Sequence, residues 1–186
     1  MSQESQGLMS PYLREQRYLK ALKYVRPTDK VLDIGCGSGS FESLMPIGVE
    51  YYGLDIKKWW QGKKNNLIVA KLGKKYPQKL RNKKFALVTA LALIEHIKKP
   101  QLLFDYAHNL LEDRGLLILT TPHPLGRKIH DIGALIGIFS SDASEEHERF
   151  LNKKDLSLLA NKSGFTMVKY ERFLFCMNQL AVFKKK

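Results

Sequence analysis

A chain of 186 residues with 44% hydrophobic content is long enough to build one domain with its own core and too short for a large second one. Its formal charge of +13 favours anionic partners, while two cysteines are too few for a disulfide scaffold and suit reduced thiols. No apolar run reaches the ~20 residues that cross a bilayer, and Met1-Ser2-Gln3-Glu4-Ser5-Gln6-Gly7 lacks the basic and apolar regions of a secretory leader, so a cytoplasmic protein without a membrane span is expected.

The interval from Pro11 to Arg26 sets Tyr12, Leu13, Leu19, Leu22 and Tyr24 among basic residues, which predicts an amphipathic helix ended by Pro27. With residues 1–27 it would cap a cleft. Val31-Leu32-Asp33-Ile34 reads as a short buried strand running into Gly35-Cys36-Gly37-Ser38-Gly39, where missing Cβ atoms let a ligand approach main chain. Ser40 to Met45 predicts the first turns of a helix, whose free N–H groups and positive dipole end would face that loop. The next strand, Tyr51-Tyr52-Gly53-Leu54-Asp55-Ile56, carries Asp55 at its carboxyl end, where a carboxylate can accept the hydroxyls of a ribose. A dinucleotide fingerprint would want its third glycine at Ser40 instead of Gly39. Asp33, two residues ahead of Gly35, would repel a pyrophosphate and attract an ammonium or sulfonium group. The ligand implied is a nucleoside with a cationic arm.

Beyond it the chain alternates: a short basic helix, a strand near 66–70, a loop or short helix, a strand near 85–91, a helix near 100–111 and a strand near 115–120. Trp59-Trp60 would cover the adenine side of a pocket or pack under the sheet. Such alternation predicts a parallel sheet with crossovers, whose ligands sit beyond the strands' carboxyl ends, here Gly35, Asp55, Ala90 and Thr121. Residues 122–150 break the rhythm with Pro122, Pro124, Gly126, Gly133 and Gly137, a length that suggests a lid or substrate loop with an apolar helix from Ile129 to Phe139. A helix from Lys153 to Ser163 and two strands, Phe165 to Arg172 and Phe173 to Phe183, close the chain; strands so near in sequence run antiparallel.

The glycine loop with Asp55 resembles the first motifs of class I S-adenosylmethionine-dependent methyltransferases, in the branch holding ubiquinone- and menaquinone-type and small-molecule enzymes. Phe85 through Leu93-Ile94-Glu95-His96 is similar to that branch's fourth strand and its Leu-Glu-His-like triplet, Leu110 through Pro122 to its fifth strand, and His147-Glu148-Arg149-Phe150 to its His-x-Arg-x-Phe segment. The resemblance implies an α/β, Rossmann-like doubly wound sheet, mostly parallel with an antiparallel last strand, in a single domain over residues 1–186. It implies S-adenosyl-L-methionine as cofactor, held by Asp33, Gly35, Cys36, Gly37, Gly39, Asp55, Ile56, Leu72, Ala90 and Leu91. Lys71 stands where the family carries an acid that meets the adenine amino group, leaving backbone near Leu72 to read the base.

A methyl sulfonium is already activated, so direct displacement needs alignment above all, and proximity alone can supply ~7–11 kcal/mol. His123 and His147 are the candidate catalytic residues, able to orient an acceptor hydroxyl or take its proton; His96 and Arg149 are the candidate acceptor contacts. Thr89-Ala90-Leu91-Ala92 replaces the Asn-Pro-Pro-Tyr-like tetrapeptide of base and glutamine methylation, no Pro-Cys serves cytosine carbon chemistry, and no acid cluster marks a metal site. The reading is methyl transfer to a small, anionic or lipid-like molecule. Its alternatives are an enzyme acting on RNA or another macromolecule, which the +13 charge suggests, and a non-catalytic scaffold on the same fold, which Lys71 suggests.

Overall fold

The computed structural model describes residues 10–60, 66–73, 75–124 and 150–186. Seven strands make one sheet: β1 (Lys30–Ile34), β2 (Glu50–Asp55), β3 (Leu67–Val69), β4 (Phe85–Leu91), β5 (Leu111–Pro122), β6 (Phe165–Phe173) and β7 (Asn178–Lys185), in the order β3-β2-β1-β4-β5-β7-β6. The first five pair in parallel, while β7 runs antiparallel between β5 and β6. The expected doubly wound α/β sheet with a reversed end is present. Because the chain steps outward from β1 to β2 and β3 and then returns to β4 on the other side, the switch point lies at the carboxyl ends of β1 and β4, where such sheets open a crevice.

Strand periodicity divides the core in two. Leu32, Ile34, Leu54, Val88, Leu117, Leu119 and Phe183 face helices α2 (Gln101–Leu110) and α3 (Lys153–Lys162), with Phe104 and Phe165 packed edge to face. Val31, Tyr51, Leu87, Ile118 and Val182 face the other way, under α1 (Ser10–Leu22), with Ala21, Phe41 and Trp60 completing that layer. Tyr18 of α1 stacks on Phe41 at 4.8 Å. Asn152 and Asp155 form a reciprocal capping box that fixes the start of α3.

Several elements differ from the sequence reading. The segment after the glycine loop is a 3-10 helix of five residues, Ser40–Leu44, because Pro46 forces Met45 into an extended conformation (φ −68°, ψ 142°) and stops helix growth. It is too short to aim a macrodipole at the loop. Helix α1 ends at Leu22, ahead of Pro27, and Tyr12 and Leu19 are exposed on it. Residues Ile56–Trp60 are not helical, and the rest of the expected basic helix lies outside the described residues. So does the expected helix from Ile129 to Phe139. The final hairpin turns at 174–177 and not between Arg172 and Phe173.

Candidate functional site

The glycine loop leaves β1 in left-handed steps: φ is +79° at Gly35, +54° at Gly37 and +76° at Gly39. The N–H groups of Gly35 and Cys36 both donate to the Leu54 carbonyl, at 2.7 and 3.2 Å, and Gly37 N–H donates to Oδ2 of Asp55 at 2.9 Å. The loop is thereby latched to the end of β2. Space around the three glycines is unequal, however. A Cβ on Gly35 would meet Leu93 at 2.9 Å and one on Gly39 would meet Leu67 at 2.8 Å, whereas one on Gly37 would meet nothing within 4 Å. Gly35 and Gly39 therefore also make room for leucines, and the surface left open is at Gly37.

Asp55 is 9% exposed. Besides the Gly37 bond, its Oδ1 accepts Lys57 N–H at 3.2 Å and the indole N–H of Trp59 at 3.0 Å. Ile56, beyond it, is largely exposed, and Ala70 N–H donates to the Asp55 carbonyl at 2.8 Å, which holds the end of β3 alongside. There Lys71 is exposed and Leu72 is partly buried against the core.

Asp33 is placed otherwise than a direct ligand contact requires. Its carboxylate is 3% exposed, accepting the Tyr51 hydroxyl at 2.8 Å and the Thr89 hydroxyl at 2.7 Å. Burial pushes its pKa up to about 6, against the lowering effect of those two hydroxyls. It supplies negative charge beneath the loop while protein donors occupy it. The Cys36 thiol is buried against Gly53 in the α1-side core, and that burial pushes its pKa up. It fills space there. Ala90 is fully buried within β4, so its side chain lies below the cleft surface, whereas Leu91 is partly buried on the α1 side.

On the β4–β5 side, His96 ends a 3-10 turn, Ile94–His96, and is exposed. Its neighbour Glu95 is 4% exposed and accepts the Thr121 hydroxyl at 2.9 Å; burial raises its pKa. His123 follows β5, its N–H donating to the Met177 carbonyl at 2.8 Å. Partial burial, helped by the charge of Arg172, holds the imidazole below its ordinary pKa. His147 and Arg149 lie outside the described residues.

Gln179 and Asn178, at the start of β7, were missed by sequence reasoning. The Gln179 amide donates to the Pro122 carbonyl at 3.1 Å and the Leu151 carbonyl at 2.5 Å and accepts the Tyr170 hydroxyl at 2.9 Å, tying together both stems of the 123–150 connection. Asn178 accepts Arg17 Nε–H from α1 at 3.1 Å. The available signal was two amides opening the apolar run Leu180-Ala181-Val182-Phe183. Among the described residues no cluster of His, Cys, Asp and Glu is set to hold a metal ion.

An open backbone face at Gly37, a carboxylate beside it and buried negative charge below fit an adenosyl group with a cationic arm. The strand order and directions are those of the class I methyltransferase fold. The chain belongs to the methyltransferase domain family, whose model matches residues 8–170. Among similar solved structures, a chain of the Haloferax volcanii complex between the Trm112 methyltransferase activator and a methyltransferase superposes with a TM-score of 0.71 at 12% identity, over 95% of this chain and 91% of that one. Magnesium protoporphyrin IX methyltransferase of Synechocystis PCC 6803, solved with bound SAH, gives 0.68 at 14% identity over 100% and 90%. The small RNA methyltransferase HEN1 gives 0.71 at 19% identity over 100% of this chain and 27% of its own. No match was found among curated protein sequences.

Proposed function

We propose that this chain transfers the methyl group of S-adenosylmethionine to a small, anionic or lipid-like acceptor, as the ubiquinone- and menaquinone-type branch does. The observation that carries the cofactor half is the latch between Gly37 and Asp55, which leaves Gly37 open beside a carboxylate. Asp55 would hold the ribose, the main chain at Gly37 would face the ligand, Ile56 and Leu72 would flank the base, and Leu91 would line the floor. Asp33 would act from below through its charge.

When bound, S-adenosylmethionine supplies an electrophilic methyl group, so the protein's part is to align an acceptor and shed its proton. His123 suits that part: it is anchored by its backbone, and its depressed pKa keeps the imidazole neutral and able to accept a proton near pH 7. His96, at the rim, and His147 and Arg149, within the 122–150 connection, complete the acceptor set of this reading.

The test is calorimetric titration with S-adenosylhomocysteine, followed by the Asp55→Ala variant. Charge-assisted hydrogen bonds are worth roughly 1.5–3 kcal/mol, so the substitution should weaken binding on the order of tenfold to a hundredfold. Affinity that does not move with Asp55→Ala would remove the ribose assignment. A second reading, an RNA or other macromolecular acceptor, draws on the +13 charge and on the likeness to HEN1.

A further inference from the structure

Asp55 has more donors than a ribose-binding carboxylate can keep. A carboxylate offers about four lone-pair positions, two on each oxygen. Oδ1 already accepts Lys57 N–H and the Trp59 indole N–H, and Oδ2 accepts Gly37 N–H. One position is left. A ribose diol brings two hydroxyl donors, so one resident donor must yield for both to bind. Gly37 and Lys57 donate from the main chain and cannot leave without moving the loop or the end of β2. Trp59 donates from a side chain that is 53% exposed and is steadied by Lys57, whose Nζ lies 5.6 Å from the ring centroid.

We infer that Trp59 is a displaceable guard of the ribose site: its indole N–H holds Asp55 in the unliganded protein and gives way to a ribose hydroxyl on binding. This rests on the cofactor reading above and adds a residue that neither the glycine motif nor Asp55 implies. The displaced ring also has a task. At the neighbouring end of β3 the exposed residue is Lys71, whose side chain offers no acceptor to a base amino group, and an aromatic face holds a nucleobase by stacking without needing a hydrogen-bonding partner.

The experiment titrates the wild type, Trp59→Phe and Trp59→Ala with S-adenosylhomocysteine, reading affinity by calorimetry and the indole by tryptophan fluorescence. Trp60 is buried in the α1-side core and serves as the constant background. Wild-type fluorescence should be quenched in step with calorimetric saturation, and Trp59→Phe should lose the quenching. Phenylalanine keeps a stacking face without the competing N–H, so that variant should bind as tightly as wild type or up to about fivefold tighter. Trp59→Ala should bind on the order of tenfold more weakly. Adenosine should quench as well, and 2′,3′-dideoxyadenosine, lacking the diol, should not. Calorimetric saturation with unchanged fluorescence, or equal weakening in the Phe and Ala variants, would overturn the guard. No calorimetric binding to the wild type would instead strike the cofactor reading and the guard with it.

Discussion

At the scale of single residues, the site depends on two carboxylates in opposite conditions. Asp55 lies at the edge of the cleft and accepts three N–H donors, whereas Asp33 is enclosed and satisfied by two hydroxyls that do not make up for lost water. The sign of its effect on stability follows. A group whose pKa rises from 3.8 unfolded to about 6 folded binds its proton more readily in the native state. Its contribution is therefore fully present below pH 4 and is lost as pH rises through 6. Between pH 7.5 and pH 5, protonation of Asp33 should favour the folded wild type on the order of 1 kcal/mol, about 2–4 °C for a domain of this size. Asp33→Asn has no such proton to bind. Thermal melts of both proteins across that range should show wild-type Tm gaining on the variant as pH falls; parallel curves would mean that Asp33 is not strained by its charge.

At the scale of elements, the β1–loop–β2 unit was legible because its signals are local: branched residues for the strand, glycines at φ values other residues resist, and an acid where the next strand ends. What escaped had long-range or unmarked causes. Asp33 meets Tyr51 and Thr89, 18 and 56 residues away, and a sequence shows its charge without its partners. The β6–β7 turn passes through Leu174, Phe175 and Cys176, all at φ between +51° and +65°, with no Gly, Pro or Asn to announce it. Gly53 was read as an ordinary strand residue, yet a Cβ there would meet Leu67 at 2.5 Å and Cys36 Sγ at 2.7 Å. Two glycine substitutions should therefore fail differently. Gly53→Ala overpacks the joint between β2, β3 and the loop, which should cost about 1–3 kcal/mol of stability with no direct role in binding. Gly37→Ala meets open space and should cost only the left-handed penalty, roughly 1–2 kcal/mol, but sets a methyl where the ligand would approach. Urea unfolding with calorimetry should find the larger binding loss in Gly37→Ala; the reverse order would place the ligand elsewhere.

At the scale of the whole molecule, the charge of +13 decides between acceptors only through its arrangement. Lysines stand at both ends of the sheet, Lys57 and Lys58 after β2 near the site and Lys83 and Lys84 before β4 at the far end, while Lys98, Lys99 and Lys162 line a hollow between α2 and α3. Among the described residues, charge spread this way gives a polyanion many weak placements and no single track. If the acceptor is the small molecule proposed, these lysines have no nucleic-acid sequence to read. Single-stranded RNA should accordingly bind at low salt and lose affinity steeply as salt rises, with a log–log slope near −0.7 per phosphate neutralised. At physiological salt its Kd should fall in the non-specific range, roughly 10⁻⁴ to 10⁻⁶ M, whatever its sequence. Anisotropy titrations across a salt series and several RNAs check this. One RNA held a thousandfold more tightly than the rest at physiological salt would shift the assignment to a macromolecular acceptor, because dispersed lysines cannot produce that preference without a surface shaped to read it.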